Sequence, residues 1–465
     1  MHTVEKIGGT SMSAFEDVLN NIIFWNRQKT ELYNRIFVVS AYGGITNLLL
    51  EDKKTQGPGV YAYFAKNNRQ WREAIEDVRK RMHEINLGLV NLGLDVDQAN
   101  AFVDERLDGI QNCLLSLENV CSYGHFNLGD FLLSVREMLS AVGEAHSAWN
   151  SVQILRQHGV NATFVDLTGW QDETQLSLDD MIRTHLEGMD FSTTMPIVTG
   201  YTKCREGIMR TYDRGYSEIT FSRIAVLTEA KEAIIHKEYH LSSGDPKLIG
   251  VDKVRTIGYT NYDVADQLAD LGMEAIHPRA SKGLEYMNIP LRVKNVFEPE
   301  HPGTLITTSY RSETPRVEII CGRNDLIAIE LVDPDMVGMP GYDYRLLKHF
   351  ADYQINYIAK NTNANTITHY VSEKHAQWPD LVAKLKEVYG DSAISTTPVS
   401  VVCAIGSNMK VPGFLYKCAR SLADNKINIL AMDQCMRQVN MQFIIQREDF
   451  EKAIITLHRA LIEEA

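Results

Sequence analysis

The 465-residue chain is short of the residues that would set it apart from an ordinary globular protein. Its seven cysteines, at 113, 121, 204, 321, 403, 418 and 435, are odd in number and form no Cys-x-x-Cys pair. That argues against a disulfide framework or a cysteine-rich zinc site and for a reducing compartment. Thirteen prolines and 30 glycines are too few for a fibrous or disordered chain. Positive charge is also scarce. Lys plus Arg total 47 against 60 for Asp plus Glu, a net charge of -13, which excludes a general electrostatic role on nucleic acid or anionic lipid. Small molecules or other proteins are the expected partners. No stretch approaches the roughly 18 apolar residues of a membrane span, and Glu5 and Lys6 stand where a secretory leader would be basic then apolar. A cytoplasmic protein without a membrane or nucleic-acid partner is expected.

What the chain does have is regular alternation. Its length suggests two or three domains, and its 44% apolar content supplies a large core. Residues 1 to 300 alternate β-branched runs with helical patterns, and strands are predicted at Thr3 to Ile7, Arg35 to Ser40, Ala162 to Asp166, Met195 to Gly200, Ala233 to His236 and Leu291 to Asn295. This predicts an α/β fold with a parallel sheet covered on both faces. Phe15, Val18, Leu19, Ile22 and Ile23 share one helical face after the first strand, with Ser13 as the expected N-cap. From about 65 to 140 the pattern is helical and charged, with Trp71, Ile75, Val78 and Met82 on one face, and reads as a helical insertion walling one side of the sheet's site. Pro, Ser and Thr cluster at Glu298 to Pro315 and at Ser392 to Pro398, marking boundaries. Each cluster precedes a similar stretch, Pro340-Gly341-Tyr342 to Asn356 and Pro412-Gly413-Phe414 to Asn428, 16 residues from Pro to Asn in both (356 minus 340, 428 minus 412). Tyr344/Tyr416, Ala351/Ala423 and Asp352/Asp424 match in register. The C-terminal third is thus an internal duplication of ferredoxin-like βαββαβ units, giving expected domains at 1–300, 315–395 and 396–465.

The candidate chemistry sits where strands run into glycine-rich turns. Lys6-Ile7-Gly8-Gly9-Thr10-Ser11 leads from the first strand into a helix. Paired glycines let backbone N–H groups approach an anion, and Lys6 can reach a phosphate as a point charge. A ligand-free Gly-Gly turn would give the same local pattern. The second turn, Ser40 to Asn47, follows the second strand, and carboxyl ends of parallel strands are where ligands sit. Arg210 to Glu218 gathers two arginines, two acids and several hydroxyls before a helical run. Arg214 is suited to clamp a carboxylate, with Ser217 beside it, although a solvated loop has the same composition. Glu144 is a candidate counter-ion for an ammonium group or simply a helix-dipole partner. The histidines of His236-Lys237-Glu238-Tyr239-His240 lack zinc-protease spacing, and no metal ligation is expected there. Leu241 to Lys247 has the chemistry of an exposed turn, with Lys247 a candidate phosphate contact.

Taken in order, Lys6 to Ser11, Ser40 to Asn47, Gly143-Glu144, Arg214-Gly215-x-Ser217, Gly244-Asp245-Pro246 and Ile276-His277-Pro278 resemble aspartate kinase, of the amino-acid kinase superfamily. The duplicated tail resembles that family's tandem ACT domains. Lys-Ile-Gly-Gly-Thr-Ser-Met and Asp-Arg-Gly-Tyr-Ser-Glu are closest in wording to the type found with ectoine biosynthesis. The resemblance implies an amino-acid kinase fold and ATP-dependent phosphorylation of the L-aspartate β-carboxylate to 4-phospho-L-aspartate. Mg²⁺ would be bound through ATP rather than by protein side chains. It also implies Lys6 on the transferred phosphoryl group and Gly8, Gly9, Ser40 and Lys247 on ATP. Thr46, Glu144, Tyr201, Arg214 and Ser217 would hold aspartate, with Lys6, Arg214 and Glu218 as the catalytic set. A homo-oligomer, dimer or tetramer, through the ACT domains is implied, with an amino-acid effector as a further partner.

Several positions depart from the family pattern. Tyr216 stands where Gly is common, Glu218 where Asp is common, and Tyr201 where Phe is usual. Glu274 replaces a usual phosphate-binding Lys, and Lys237-Glu238-Tyr239 replaces Thr-Asp-Val, leaving Lys237 or Lys247 to supply the missing charge. Gly338-Met339-Pro340-Gly341 is a suitable effector turn, but Asn356-Tyr357-Ile358 lacks the acid that lysine-inhibited relatives place after the helix. Weak or no lysine inhibition is therefore expected. The alternatives are a kinase for another carboxylate such as glutamate, or a non-catalytic amino-acid sensor.

Overall fold

The structure, a computed structural model, describes residues 1–52, 55–212, 215–271 and 276–464. The chain divides into two compact units, Met1–His240 with Ile276–Thr307 and Leu241–Ala275 with Thr308–Ala465.

The first unit is built on strands β1 (Thr3–Ile7), β2 (Arg35–Val39), β3 (Ala162–Val165), β4 (Met195–Thr199), β5 (Glu232–Lys237), β6 (Leu291–Asn295) and β7 (Thr304–Thr307). Their spatial order is β3-β4-β2-β1-β5-β6-β7. All neighbours are parallel except β6 and β7, which are antiparallel. Every residue of β1, β2 and β4 is buried, as expected for a parallel sheet covered on both faces. Six strands fall where the sequence pattern places them. The seventh, β7, lies inside the Pro-rich stretch after Glu298, where turn residues mask a four-residue antiparallel strand.

Central strand β1 carries an acid into this core. Glu5 Oε1 accepts from Arg35 Nε at 2.6 Å, and Oε2 accepts from Arg35 Nη2 at 2.9 Å and pairs with His236 Nε2 at 2.8 Å. Burial alone would raise the Glu5 pKa, yet Arg35 and His236 hold it well below the usual carboxylate range. The cluster joins β2, β1 and β5.

Helices α1 (Trp71–Gly88), α2 (Val96–Ser122) and α3 (Leu132–Gln157) form the insertion. Trp71, Ile75, Val78 and Met82 are fully buried, as their spacing predicts. Unlike the expectation, the last helix does not stop near 140. Ser140 to Ala148 are all buried, so this stretch is enclosed on every side and lacks the polar stripe by which a surface helix is recognised. The helix after β1 also differs from its reading. Its apolar face is buried as expected, but helical turns begin at Gly9, so Ser13 lies inside the first of them and does not act as an N-cap.

The second unit is one antiparallel sheet with helices. Its strands β8 (Ile319–Val332), β9 (Tyr357–Thr362), β10 (Thr366–Ser372), β11 (Ile394–Ile405), β12 (Ile429–Asp433) and β13 (Asn440–Gln446) run in the order β9-β10-β8-β11-β13-β12. The duplication is visible in register. Helix α5 (Tyr342–Asp352) and helix α7 (Phe414–Asp424), separated in sequence by α6 (Trp378–Tyr389), each start after a left-handed glycine, Gly341 at φ 73° and Gly413 at φ 107°. The two copies interlock through their long strands. Ile394 to Val399 pair with Leu331 to Leu326, whereas Val401 to Ile405 pair with Arg323 to Ile319. One half of β11 therefore completes the first copy and the start of β8 completes the second. Strand β11 runs through the Ser392 to Pro398 cluster. The segment after His240 joins this unit because Ile249, Val264 and Leu268 are buried among its strands and helices.

Replacing Glu5 with Ala would leave the buried Arg35 without its counter-charge and His236 without its hydrogen-bond partner, at a cost of about 3–5 kcal/mol. A clear fall in the thermal midpoint of the full chain is expected; a variant as stable as the parent would contradict the structural role of the cluster.

Candidate functional site

The carboxyl ends of β1, β2 and β4 converge, and glycines set how closely. A Cβ on Gly9 would come within 2.7 Å of the Ala41 carbonyl oxygen, so the turn after β1 packs directly on the turn after β2. Ser13, freed from capping, ties the two together: its hydroxyl accepts the Gly43 N–H at 2.8 Å. Ser11 Oγ donates to Glu238 Oε1 at 2.9 Å, which links the same turn to the residue after β5. Gly44, at φ 86°, reverses the chain into the short helix Ile45–Leu49 that carries half-buried Thr46.

Lys6 is only 7% exposed, rare for lysine unless paired. Its Nζ lies 3.8 Å from Glu218 Oε1, an ion pair too long for a hydrogen bond, so the ammonium keeps its donors for an anion. Glu218 is carried by helix α4 (Tyr216–Leu227). Its other oxygen accepts the backbone N–H of His277. Ser217, on the same turn, has its Oγ 3.4 Å from Ser40 Oγ. The structure thus brings Lys6, Ser40, Ser217 and Glu218 together beside the Gly8-Gly9 turn.

Glu144 faces this group from the interior of α3, which removes the helix-dipole reading of that residue. Gly143 makes the approach possible, since a Cβ there would come within 2.7 Å of Ala41 Cβ. Glu144 is buried, and its Oε2 has no hydrogen-bond partner among the described residues. Burial pushes its pKa up to about 8, against the opposing pull of Lys6 and of hydrogen bonds from Tyr201, Tyr216 and Ala41. A buried acid with an open oxygen is a poor structural element and a good receptor for a cation. Gly200 leaves the space, because a Cβ there would meet Ser217 Cβ at 2.6 Å and Glu144 Oε2 at 3.0 Å.

Tyr201 is buried just after β4, and its hydroxyl donates to Glu137 Oε2 at 2.6 Å. Beside this pair opens a cavity of about 620 Å³, whose walls include Ala141, Val142, Trp170 and Arg210. Glu137 was not among the sequence candidates, although it stands seven residues before Glu144, two helical turns away on the same face. Neither was the pairing of Ser13 with Gly43, which nothing in the local sequence signals. Arg214 and Glu274 lie outside the described residues. Lys247 belongs to the second unit, in the short helix Pro246–Ile249 capped by Asp245. Among the described residues no three His, Cys, Asp or Glu side chains converge to hold a metal, and no helix is long and apolar enough to cross a membrane.

Comparison with known proteins shows the family. The chain is 53% identical over 465 residues to aspartate kinase Ask_Ect of Stutzerimonas stutzeri, covering 100% of this chain and 98% of that protein. It is 23% identical to chloroplastic aspartokinase 2 of Arabidopsis thaliana, covering 99% of this chain and 84% of that protein. Among solved structures it resembles E. coli aspartokinase III in complex with aspartate and ADP, with a TM-score of 0.73 at 18% identity, covering 99% of this chain and 100% of that one. The Clostridium acetobutylicum aspartate kinase gives a TM-score of 0.69 at 18% identity, covering 99% of each chain. An ACT domain model matches residues 402–461, and the amino acid kinase family model matches residues 1–295. The chain belongs to the amino acid kinase family, with an ACT domain in its C-terminal part.

Proposed function

We propose that the chain is an aspartate kinase that transfers the γ-phosphoryl group of ATP to the β-carboxylate of L-aspartate. The observation that carries this reading is the buried pairing of opposite receptors: Lys6 with free donors on one side and Glu144 with an open carboxylate oxygen on the other. The full-length likeness to the Stutzerimonas enzyme supports it. In this reading Gly8, Gly9 and Ser40 line the phosphates, and Glu144 takes the substrate ammonium. Thr46, Ser217 and Arg214 hold the remainder of the amino acid, and Tyr201, whose hydroxyl is taken up by Glu137, acts on it through its neighbours. A carboxylate is ionised at neutral pH and needs no general base. One of its oxygens attacks the γ-phosphorus, the bond to the β,γ-bridging oxygen breaks, and ADP leaves. Lys6 stabilises the charge that spreads over the transferred oxygens, and Glu218 holds Lys6 in place. Mg²⁺, held through the nucleotide rather than by side chains of this chain, would supply charge neutralisation to its phosphates. The acyl phosphate would feed an aspartate-derived pathway, with ectoine as the product that the motif wording favours. Association of copies is proposed through the second unit, whose edge strands β9 and β12 expose Tyr357, Leu430 and Met432.

Trapping the acyl phosphate as a hydroxamate tests the reaction. Product is expected with Mg-ATP and aspartate, little with glutamate, and about 100-fold less or lower with Lys6→Ala. No aspartate-dependent product from the parent chain would refute the reading, and a glutamate preference would replace it with glutamate kinase.

The pKa of Glu144 gives a second test. Raised to about 8, it leaves the carboxyl neutral in the empty site at pH 7, whereas an ammonium ligand favours the ionised form. Apparent affinity for aspartate should therefore rise with pH by up to about tenfold per unit below pH 8 and level off above it. Glu144→Gln should bind weakly with no such slope. A flat KM for aspartate from pH 6 to 9 in the parent would contradict this role.

Lysine is the third test. The helix α5 is followed by Asn356-Tyr357-Ile358 with no acid to hold an ε-ammonium group. Activity should persist at millimolar lysine, and half-inhibition below that concentration would count against the reading.

A further inference from the structure

Glu137 holds more of the substrate loop than any residue assigned above. Its Oε2 accepts from the Tyr201 hydroxyl at 2.6 Å, and its Oε1 accepts the backbone N–H groups of Met209 at 2.8 Å and Arg210 at 3.1 Å. The turn that delivers those two N–H groups depends on Gly207, at φ 72°, where a Cβ would stand 3.1 Å from Glu137 Oε1. One carboxylate therefore fixes both ends of the stretch from Tyr201 to Arg210.

The same clamp reaches Glu144 through two rings. The Tyr201 ring packs edge-on against Tyr216, with centroids 5.7 Å apart at 76°, and both side chains are buried. The Tyr216 hydroxyl lies close enough to Glu144 to lower its pKa against the effect of burial. Positions 137 and 144 lie on one face of α3, about 10 Å apart along its axis. The chain after β4 is thus fastened to that helix at Glu137, through Tyr201 and the two amides, and meets it again where Tyr216 approaches Glu144. Both tyrosines stand where the motif resemblance expects residues without a hydroxyl, so this chain carries two polar anchors of its own.

We infer that Glu137 is a positioning residue for the amino-acid substrate, acting through Tyr201 and the Tyr201–Tyr216 ring pair to hold Glu144 and the substrate loop in their binding geometry. The inference rests on Glu144 receiving the substrate ammonium. Because the clamp touches the β4 side of the site and not the Gly8-Gly9 turn, its loss acts on aspartate rather than on ATP. Gln at 137 keeps the function: its amide oxygen accepts the two backbone N–H groups and its amide nitrogen donates to the Tyr201 hydroxyl.

The test compares the full-length parent with Glu137→Ala, Glu137→Gln and Tyr201→Phe in the hydroxamate reaction, with thermal unfolding measured alongside. Glu137→Ala should raise KM for aspartate about tenfold or more while KM for Mg-ATP stays within about twofold. Glu137→Gln should return KM for aspartate to within about threefold of the parent, and Tyr201→Phe should shift it in the same direction as Glu137→Ala by a smaller factor. Equal rises in both KM values, or a KM for aspartate unchanged in Glu137→Ala and Tyr201→Phe, would overturn the inference. If Glu137→Ala does not fold, Tyr201→Phe decides: an unchanged KM for aspartate overturns it and a selective rise supports it. A parent chain without aspartate-dependent product would overturn the aspartate kinase reading together with this one, whereas an active parent with indifferent variants overturns this one alone.

Discussion

Strand β1 carries two adjacent charges into the middle of a buried parallel sheet, and the first unit is arranged around the different fates of those charges. Side chains at 5 and 6 point to opposite faces. Glu5 is neutralised inside the protein by Arg35 and hydrogen-bonded to His236, which fixes β1 against both neighbouring strands. Among the described residues Lys6 receives only a long contact from Glu218. One charge thus makes the platform rigid, and the other is left for a ligand. Across from it, Glu144 is buried by a helix that Gly143 lets press against the turn after β2. Among the described residues neither Lys6 nor Glu144 is fully satisfied, and in the proposed reading a zwitterionic substrate beside a polyphosphate supplies what both lack.

This division also reconciles the acid surplus of the chain with two anionic substrates. Net charge governs long-range behaviour and is screened within about 10 Å at ordinary ionic strength. In the proposed reading a buried lysine, backbone N–H groups at glycine turns and a metal brought by the nucleotide would act inside that distance and in a lower dielectric. A net charge of -13 is therefore compatible with a locally positive phosphate site.

Much of this was legible from residue order. Strand positions followed β-branched runs, the residues that gather at the strand ends followed glycine turns, and the duplicated tail followed a repeat that the structure reproduces in its two glycine-started helices, Tyr342–Asp352 and Phe414–Asp424. What escaped has a common physical cause, dependence on partners far away in sequence. The helix around Glu144 shows no amphipathic stripe because it is covered on all sides. The interlocking of the two tail copies depends on β8 and β11 pairing along their whole lengths across some 70 residues, and no local pattern encodes a partner. Glu137 looked like one of many acids on a charged helix until the turn at Gly207 brought two amides to it. Likewise, Ile249, Val264 and Leu268 give the segment after His240 its place in the second unit, and their spacing alone does not say which core they enter.

The central claim is that Glu144 waits as a neutral acid and becomes a carboxylate when the substrate ammonium arrives. The most direct measurement is an isotope-edited infrared difference spectrum of the full chain at pH 7, with and without aspartate, using Glu144→Gln to assign the band. The account predicts a protonated carboxyl band from Glu144 in the free protein that disappears on aspartate binding. A Glu144 carboxyl that is ionised in both states, or protonated in both, would contradict it.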